Sequence, residues 1–345
     1  MNQPSSPLSD QEVETCRQLG QNLLDNLDTI LLGQKPMTRA VVIAALAGGH
    51  VLLEGLPGLG KTELVKGLAR LLAMEFRRVQ FTPDLLPGDI TGGHILQETE
   101  NGNEFVFRPG PVFCNLLLAD EINRASPKTQ SALLEAMAEA RVTVLGETRD
   151  LPDPFFVLAT QNPIEMEGTY PLPEAQLDRF LFKVQVPSVN ADVLAAIIGQ
   201  RQSGRPPECE AVASAEDFRN FRDAAQRMHF PPAVISYAAR LCAATHPGNP
   251  EAPKSVQEFV RYGASPRAAI AIADAARVDA LLQGKPTIGF DNIKTVAPFA
   301  LCHRLVLDYR AKIEGVTSHQ VVADLLASVE ELEHAMPKEV IDADA

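Results

Sequence analysis

Apolar residues change their period along this chain, and the changes divide it into stretches of different architecture. Leu19, Leu23, Leu24, Leu27, Ile30 and Leu31 recur at helical spacing, which predicts one amphipathic helix over residues 10–32, stopped by Gly33, and a second helical run to Ala47. From His50 the pattern becomes short apolar bursts. HVLLE (50–54), FRRVQF (76–81), NLLLADE (115–121), FFVLATQNP (155–163) and FLFKVQV (180–186) read as five strands. They interleave with helical runs such as KTELVKGLARLLA and KTQSALLEAMAEA, the latter opened by Ser126 as N-cap and Pro127. Strands that are apolar throughout suit a parallel sheet covered on both faces. Two further segments, HILQETENGNEFVFRPG and RVTVLGETRDLP, read as hairpins turning at Asn101-Gly102 and at Gly146. Beyond about Ala191 strand signals vanish, and Ala-rich helices are expected at 216–228, 232–245, 266–282, 290–308 and 318–334. A boundary near Pro187 follows. The expected organisation is an N-terminal helix (1–32), an α/β domain (33–188), an α-helical lid domain (189–335) and a solvated tail (336–345).

One loop gives this pattern a chemistry. GLPGLGKT at 55–62 matches G-x-x-x-x-G-K-[ST] and lies between a predicted strand and a predicted helix. In such a loop Gly55, Leu56, Pro57, Gly58, Leu59 and Gly60 turn backbone N–H groups inward, and the next helix presents its positive end to the same anion. Lys61 would contact the β- and γ-phosphates, Thr62 would give its hydroxyl to Mg²⁺, and Glu63 completes the nucleotide-contacting set. The fold class is therefore a P-loop NTPase-type parallel five-stranded sheet with helices on both faces, followed by an all-α lid. Ligands of such sheets bind beyond the carboxyl ends of the strands. That edge accounts for NLLLADE, whose apolar run ends in two carboxylates: Asp120 would hold the metal or its water, and Glu121 would polarise an attacking water. Asn162, ending the next apolar run, reaches the same edge as a polar group near the γ-phosphate.

Composition narrows the partners. The chain has 345 residues, 46% hydrophobic and 22% charged, with a formal net charge of −13. That balance counts against a wide basic face for duplex DNA, though not against a local basic channel. Cys16, Cys114, Cys209, Cys242 and Cys302 are scattered, which suits reduced thiols in a cytoplasmic protein. The first residues lack a signal-peptide layout, and no apolar run approaches the ~20 residues of a membrane helix. The seven histidines show no metal-ligand spacing.

The ordered series GLPGLGKT, FRPGPVF, LLLADEINRA, LATQNP, LPEAQLDRF and ASPRAA resembles the MoxR family of AAA+ ATPases, over about residues 30–310. The resemblance implies that Asn162 is the sensor-1 residue. It also implies that Arg179 is an arginine finger acting on a neighbouring subunit's nucleotide, and that Arg267 is the sensor-2 arginine of the lid. It makes residues 83–108 an insert in the second helix and about 140–153 a hairpin before sensor 1, both facing the pore of a ring. It places Gly33 and Gln34 at the adenine pocket, and Arg124 at a subunit interface. The implied activity is Mg-dependent ATP hydrolysis driving chaperone-like remodelling or maturation of partner proteins, cofactor or metal insertion included. The implied assembly is a homo-oligomer, a hexameric ring, working with a protein carrying a von Willebrand factor A domain. The alternatives are a nucleic-acid motor of the RuvB or MCM type, disfavoured by charge, a magnesium-chelatase-like subunit, and a nucleotide-binding scaffold that does not hydrolyse.

Overall fold

The computed structural model describes residues 7–55, 60–99, 102–163, 169–200 and 209–332. Helix α1 (Asp10–Ile30) starts in a capping box between Ser9 and Glu12 and leads into α2 (Lys35–Leu46). The sheet comprises β1 (Val51–Glu54), β2 (Phe76–Gln80), β3 (Leu116–Asp120), β4 (Phe156–Gln161) and β5 (Phe182–Gln185). Its order is β2-β3-β4-β1-β5 and every pairing is parallel, so all five carboxyl ends share one edge. Helix α3 (Lys61–Leu71) follows β1, and α4 (Pro127–Glu139), capped by Ser126, follows β3. The five strands and these helices fall where the apolar pattern puts them.

Strand alternation decides what covers each face. Val51, Leu53, Leu116, Leu118, Leu158 and Phe182 enter one hydrophobic core with α1, α2 and α3. Leu52, Leu117, Ala119, Val157 and Ala159 face the other way, into a smaller core closed by Leu133, Leu134 and Met137 of α4. The larger core runs on without a break into the helices of the C-terminal part. Helix α5 (Ala191–Gln200) stands outside that core, which takes in α6 (Ala215–Arg227), α7 (Pro232–Ala243), α8 (Pro266–Leu282), α9 (Phe290–Leu301) and α10 (Ser318–Ser328). Helix α1 packs on both α3 and α8, and the Arg39–Asp279 ion pair (2.6 Å) ties α2 to α8.

Several details differ from expectation. The lid is helical as expected and also carries a short ribbon, in which Val260–Tyr262 pairs antiparallel with Val306–Leu307. Strands of three and two residues are too short to show a period, and only tertiary pairing makes them. For the same reason the helix expected over 290–308 ends at Leu301, where the chain turns into this ribbon. The helix expected over 318–334 ends at Ser328, and the tail from residue 333 lies outside the described residues. The insert opens with a one-turn helix, Pro87–Thr91, before its hairpin Gly92–Thr99/Gly102–Pro109. The second hairpin, Arg141–Val144/Glu147–Asp150, turns at Leu145-Gly146, both left-handed.

Two buried histidines carry polar joints of this fold. His50 Nδ1 accepts from Val157 N at 3.0 Å and its Nε2–H donates to Met137 O at 3.0 Å, linking β1, β4 and α4. His303 Nε2 reaches Phe180 O at 3.1 Å. Burial pushes both pKa values down from the usual 6.5, His50 to about 4 and His303 to about 3. The unfolded chain therefore takes up protons below pH 6.5 that the fold refuses until about pH 4, so stability is complete above 6.5 and falls with falling pH. Each histidine should cost the fold about 2 kcal/mol at pH 5 relative to pH 7. Denaturant titrations at stepped pH should show this decline, and His50→Gln should remove one histidine's share of it. A wild-type midpoint that stays flat from pH 7 to pH 5 contradicts the assignment.

Candidate active site

The turn from β1 into α3 brings Gly55, Gly60, Lys61, Thr62 and Glu63 to a cleft of ≈370 Å³ at the carboxyl edge of the sheet. Gly60 has φ 78°, and a Cβ there would lie 2.6 Å from Leu31 Cδ2, so both backbone and space demand glycine. Leu56, Pro57, Gly58 and Leu59 lie outside the described residues. Lys61 donates to Gly55 O at 2.5 Å. Burial draws its pKa below the usual lysine range, while Asp120, Glu121 and Glu54 pull the other way.

Strand β3 delivers its carboxylates to the same cleft. Asp120 Oδ1 accepts from Thr160 Oγ1 at 2.6 Å, and Oδ2 accepts from Arg78 Nη2 and Nε at 2.7 and 3.2 Å. Glu121 adopts left-handed φ 56°, which swings its side chain out of the strand line. Its N–H donates to Thr160 Oγ1 at 2.9 Å, and Oε2 accepts from Gln80 Nε2 at 2.8 Å and Arg124 Nη1 at 2.9 Å. Asn162 lines the cleft, and its carbonyl accepts from Asn123 Nδ2 at 3.4 Å. Lys61, Thr62, Asp120, Glu121 and Asn162 thus line one cleft.

Thr160, Arg78 and Gln80 escaped the sequence reading. One hydroxyl, that of buried Thr160, fixes both acidic residues by donating to one and accepting from the other. Their signal was positional. Thr160 stands two residues before Asn162 on one strand edge, and Arg78 and Gln80 alternate with inward-facing Val79.

Arg179 and Arg267 are not among the residues that line this cleft. Arg179 is exposed and donates to Leu134 O at 2.7 Å. Arg267, 64% exposed, lies 3.7 Å from Asp178, the residue before Arg179. Asp178 also receives Ser265 Oγ at 3.0 Å and Arg304 Nε at 2.7 Å. The buried guanidinium of Arg304 donates further to the carbonyls of Asp178, Phe180 and Leu181, clamping the segment that bears Arg179. Arg124, expected at an interface, serves here as a partner of Glu121.

The cleft fits a magnesium nucleotide. A helix N-terminus, Lys61 and a hydroxyl converge on it beside two carboxylates. Among the described residues no group of three or more His, Cys, Asp or Glu could hold a metal alone. A magnesium ion, which keeps water and substrate-phosphate ligands, would need only Thr62 and Asp120 from the protein. Gln34 also fits the base: it is buried, its Nε2 donates to Pro187 O at 3.1 Å, and its Oε1 has no partner. Gln34 is among the residues lining a hollow of ≈330 Å³, with Met37, Val186 and Phe299. Gly33 next to it has φ 75°, and a Cβ there would sit 2.5 Å from Val193 Cγ2.

Thr160→Val keeps the shape and deletes the shared hydroxyl. It should destabilise the fold by about 1–3 kcal/mol, because Glu121 N–H loses its acceptor. Misalignment of both carboxylates should slow phosphate release about tenfold or more with nucleotide binding retained. Melting curves and a phosphate-release assay check the two parts, and wild-type turnover by this variant would refute the second.

A model of the ATPase family associated with various cellular activities (AAA) matches residues 50–182, and an AAA lid domain model matches residues 253–325. The chain is 43% identical to the uncharacterized protein YeaC of Bacillus subtilis, over 89% of this chain and 92% of that one. It is 42% identical to Chaperone MoxR1 of Mycobacterium tuberculosis, over 87% of this chain and 79% of that one. A crystal structure of a candidate ATPase from Cytophaga hutchinsonii superposes with TM-score 0.86 at 37% identity, covering 93% of this chain and 97% of the other. A phosphate loop, an acidic strand tip and a polar strand end meet at one sheet edge beneath a helical lid, and with these relatives they place the chain in the MoxR family of AAA ATPases.

Proposed function

We propose that this ATPase couples Mg-dependent ATP hydrolysis to the remodelling or maturation of partner proteins, working as a ring. The observation that carries the reading is the placement of its arginines. The cleft holds Lys61, the carboxylates and Asn162, while Arg179 stands exposed on the segment clamped by Arg304. A guanidinium so placed suits the nucleotide of a neighbouring copy, and stabilising the transferred phosphoryl group needs such a cation. The resemblance to a protein named as a chaperone supports a protein client. So do the two hairpins. Arg149 lies over the Phe107 ring at 4.1 Å, bracing them together, and Ile95, Leu96, Phe105 and Leu145 are exposed on them.

In this reading Lys61 and the α3 N-terminus bind and orient the phosphates, Thr62 and Asp120 hold the metal, and Gln34 takes the base. The bound Mg²⁺ supplies charge neutralisation on the phosphates. Glu121 accepts a proton from the attacking water at its carboxylate, and Asn162 helps position that water. Arg267 acts as the lid's cation. A hexamer, cytoplasmic residence and a von Willebrand factor A-domain partner complete the proposal. Among the described residues no helix is long and apolar enough to cross a membrane.

Glu121→Gln should bind ATP and lose hydrolysis by about 100-fold or more, and Arg179→Ala should do the same. Mixing the two inactive variants should restore turnover, since one contributes an intact finger and the other an intact cleft. Full turnover of Arg179→Ala alone, as a monomer, would sink the shared-site reading. A pull-down with ATP-loaded Glu121→Gln should retain a protein client. Capture of duplex DNA instead would favour a nucleic-acid motor.

A further inference from the structure

Arg78 has no role in the family resemblance, yet it reaches into the cleft and makes a two-pronged contact with the carboxylate proposed to hold the metal. Its Nη2 and Nε donate to Asp120 Oδ2 at 2.7 and 3.2 Å, and Nη2 also donates to Gln80 Oε1 at 2.9 Å. The other Asp120 oxygen is taken by Thr160. Both Oδ atoms of Asp120 are therefore engaged by protein donors. A guanidinium and a divalent cation ask the same thing of a carboxylate oxygen, a lone pair facing their positive charge. They cannot sit on one side of Oδ2 together without strong repulsion.

We infer that Arg78 and the nucleotide-borne Mg²⁺ compete for Asp120, so that Arg78 is a positioning residue that sets how strongly nucleotide binding depends on the metal. Paired with Arg78, Asp120 is electrically masked, and a nucleotide approaching without metal meets one bare carboxylate fewer. When Mg²⁺ arrives with the phosphates, Asp120 passes from the guanidinium to the cation. Arg78 is half exposed, at 47%, on an edge strand, so it can leave without opening the core. The neighbouring Arg124–Glu121 pair leaves Asp120 to Arg78 alone among the described arginines in ion-pair contact. The inference rests on the nucleotide-site reading, and its test separates the two.

The test uses the full-length chain and the fluorescent analogue N-methylanthraniloyl-ADP, titrated once with excess Mg²⁺ and once with EDTA. Arg78→Gln removes the charge and keeps a polar side chain. Its affinity with EDTA should fall roughly three- to tenfold, the scale of one half-exposed charge contact, while its affinity with Mg²⁺, freed of the competing guanidinium, should hold or rise by up to about threefold. The ratio of the two dissociation constants should rise accordingly, and Arg78→Lys should restore most of it. An equal loss under both conditions would mean that Arg78 contacts the phosphates directly, and would overturn the inference. No change in either would reduce the pair to a surface ion pair and also overturn it. Failure of the wild-type chain to bind the analogue with Mg²⁺ would instead remove the nucleotide-site reading on which the inference stands.

Discussion

Two adjacent carboxylates at the tip of a dry strand set the terms for this molecule. β3 is buried along its whole length up to Asp120, and ionised groups at such a point are tolerated only where donors meet them. The sheet order supplies those donors, because β3 lies between β2 and β4. From β4 comes the Thr160 hydroxyl, and from β2 come Arg78 and Gln80. A different strand order would leave the same sequence motif without its supports. Glu121 bears the remaining strain. A non-glycine residue at φ 56° is held against its own preference, and the contacts of its N–H and carboxylate are what hold it.

The second constraint is mechanical. The core on one sheet face continues into the lid, and α1 and α2 are wedged between them. The lid is therefore not an appendage, and its position is coupled to the strands whose ends line the cleft. Arg304 makes the coupling local. It is buried, and its pKa is lowered by burial and raised by Asp178, the ordinary signature of a charge retained by its partner. By donating to three carbonyls between Asp178 and Leu181 it fixes the backbone on either side of Arg179. Asp178 at the same point also holds Ser265, the cap of α8, in whose first turn Arg267 lies. The lid and the segment bearing Arg179 thus share one polar joint.

How much of this could be read from residues alone follows from range. Five apolar bursts, a glycine-rich loop and hairpin turns are local signals, and the five strands, both hairpins and most long helices appear within a few residues of where the pattern places them, the helices from Phe290 and Ser318 ending earlier. That Glu121, Lys61 and Asn162 share one edge was legible because each lies at a strand's end or a helix's start. Thr160 was hidden because a threonine inside an apolar run reads as ordinary strand packing, and its second role exists only across β3 and β4. Arg78 was hidden because FRRVQF carries two arginines, and only the register, with Gln80 opposite Asp120, tells which of them reaches the acid. Arg304 sat in a stretch that read as helix. The lid ribbon failed for want of length, since five residues in two pieces have no periodicity to detect.

The net charge of −13 makes the site's design easier to understand. A polyanion approaching such a chain gains nothing from the average field, which salt screens within about 8–10 Å. Binding has to come from fixed donors at contact distance: the α3 N-terminus, Lys61, and the cation brought by the nucleotide itself. Asp120 and Glu121 would oppose that binding if left bare, and each is instead matched by an arginine one contact away. Two carboxylates can therefore stand side by side beside Lys61 in this cleft because arginines share their charge. The acidic surface and the anion site are compatible for the same reason: electrostatics here is decided within one or two contacts, by register and strand order, and not by the sum over the chain.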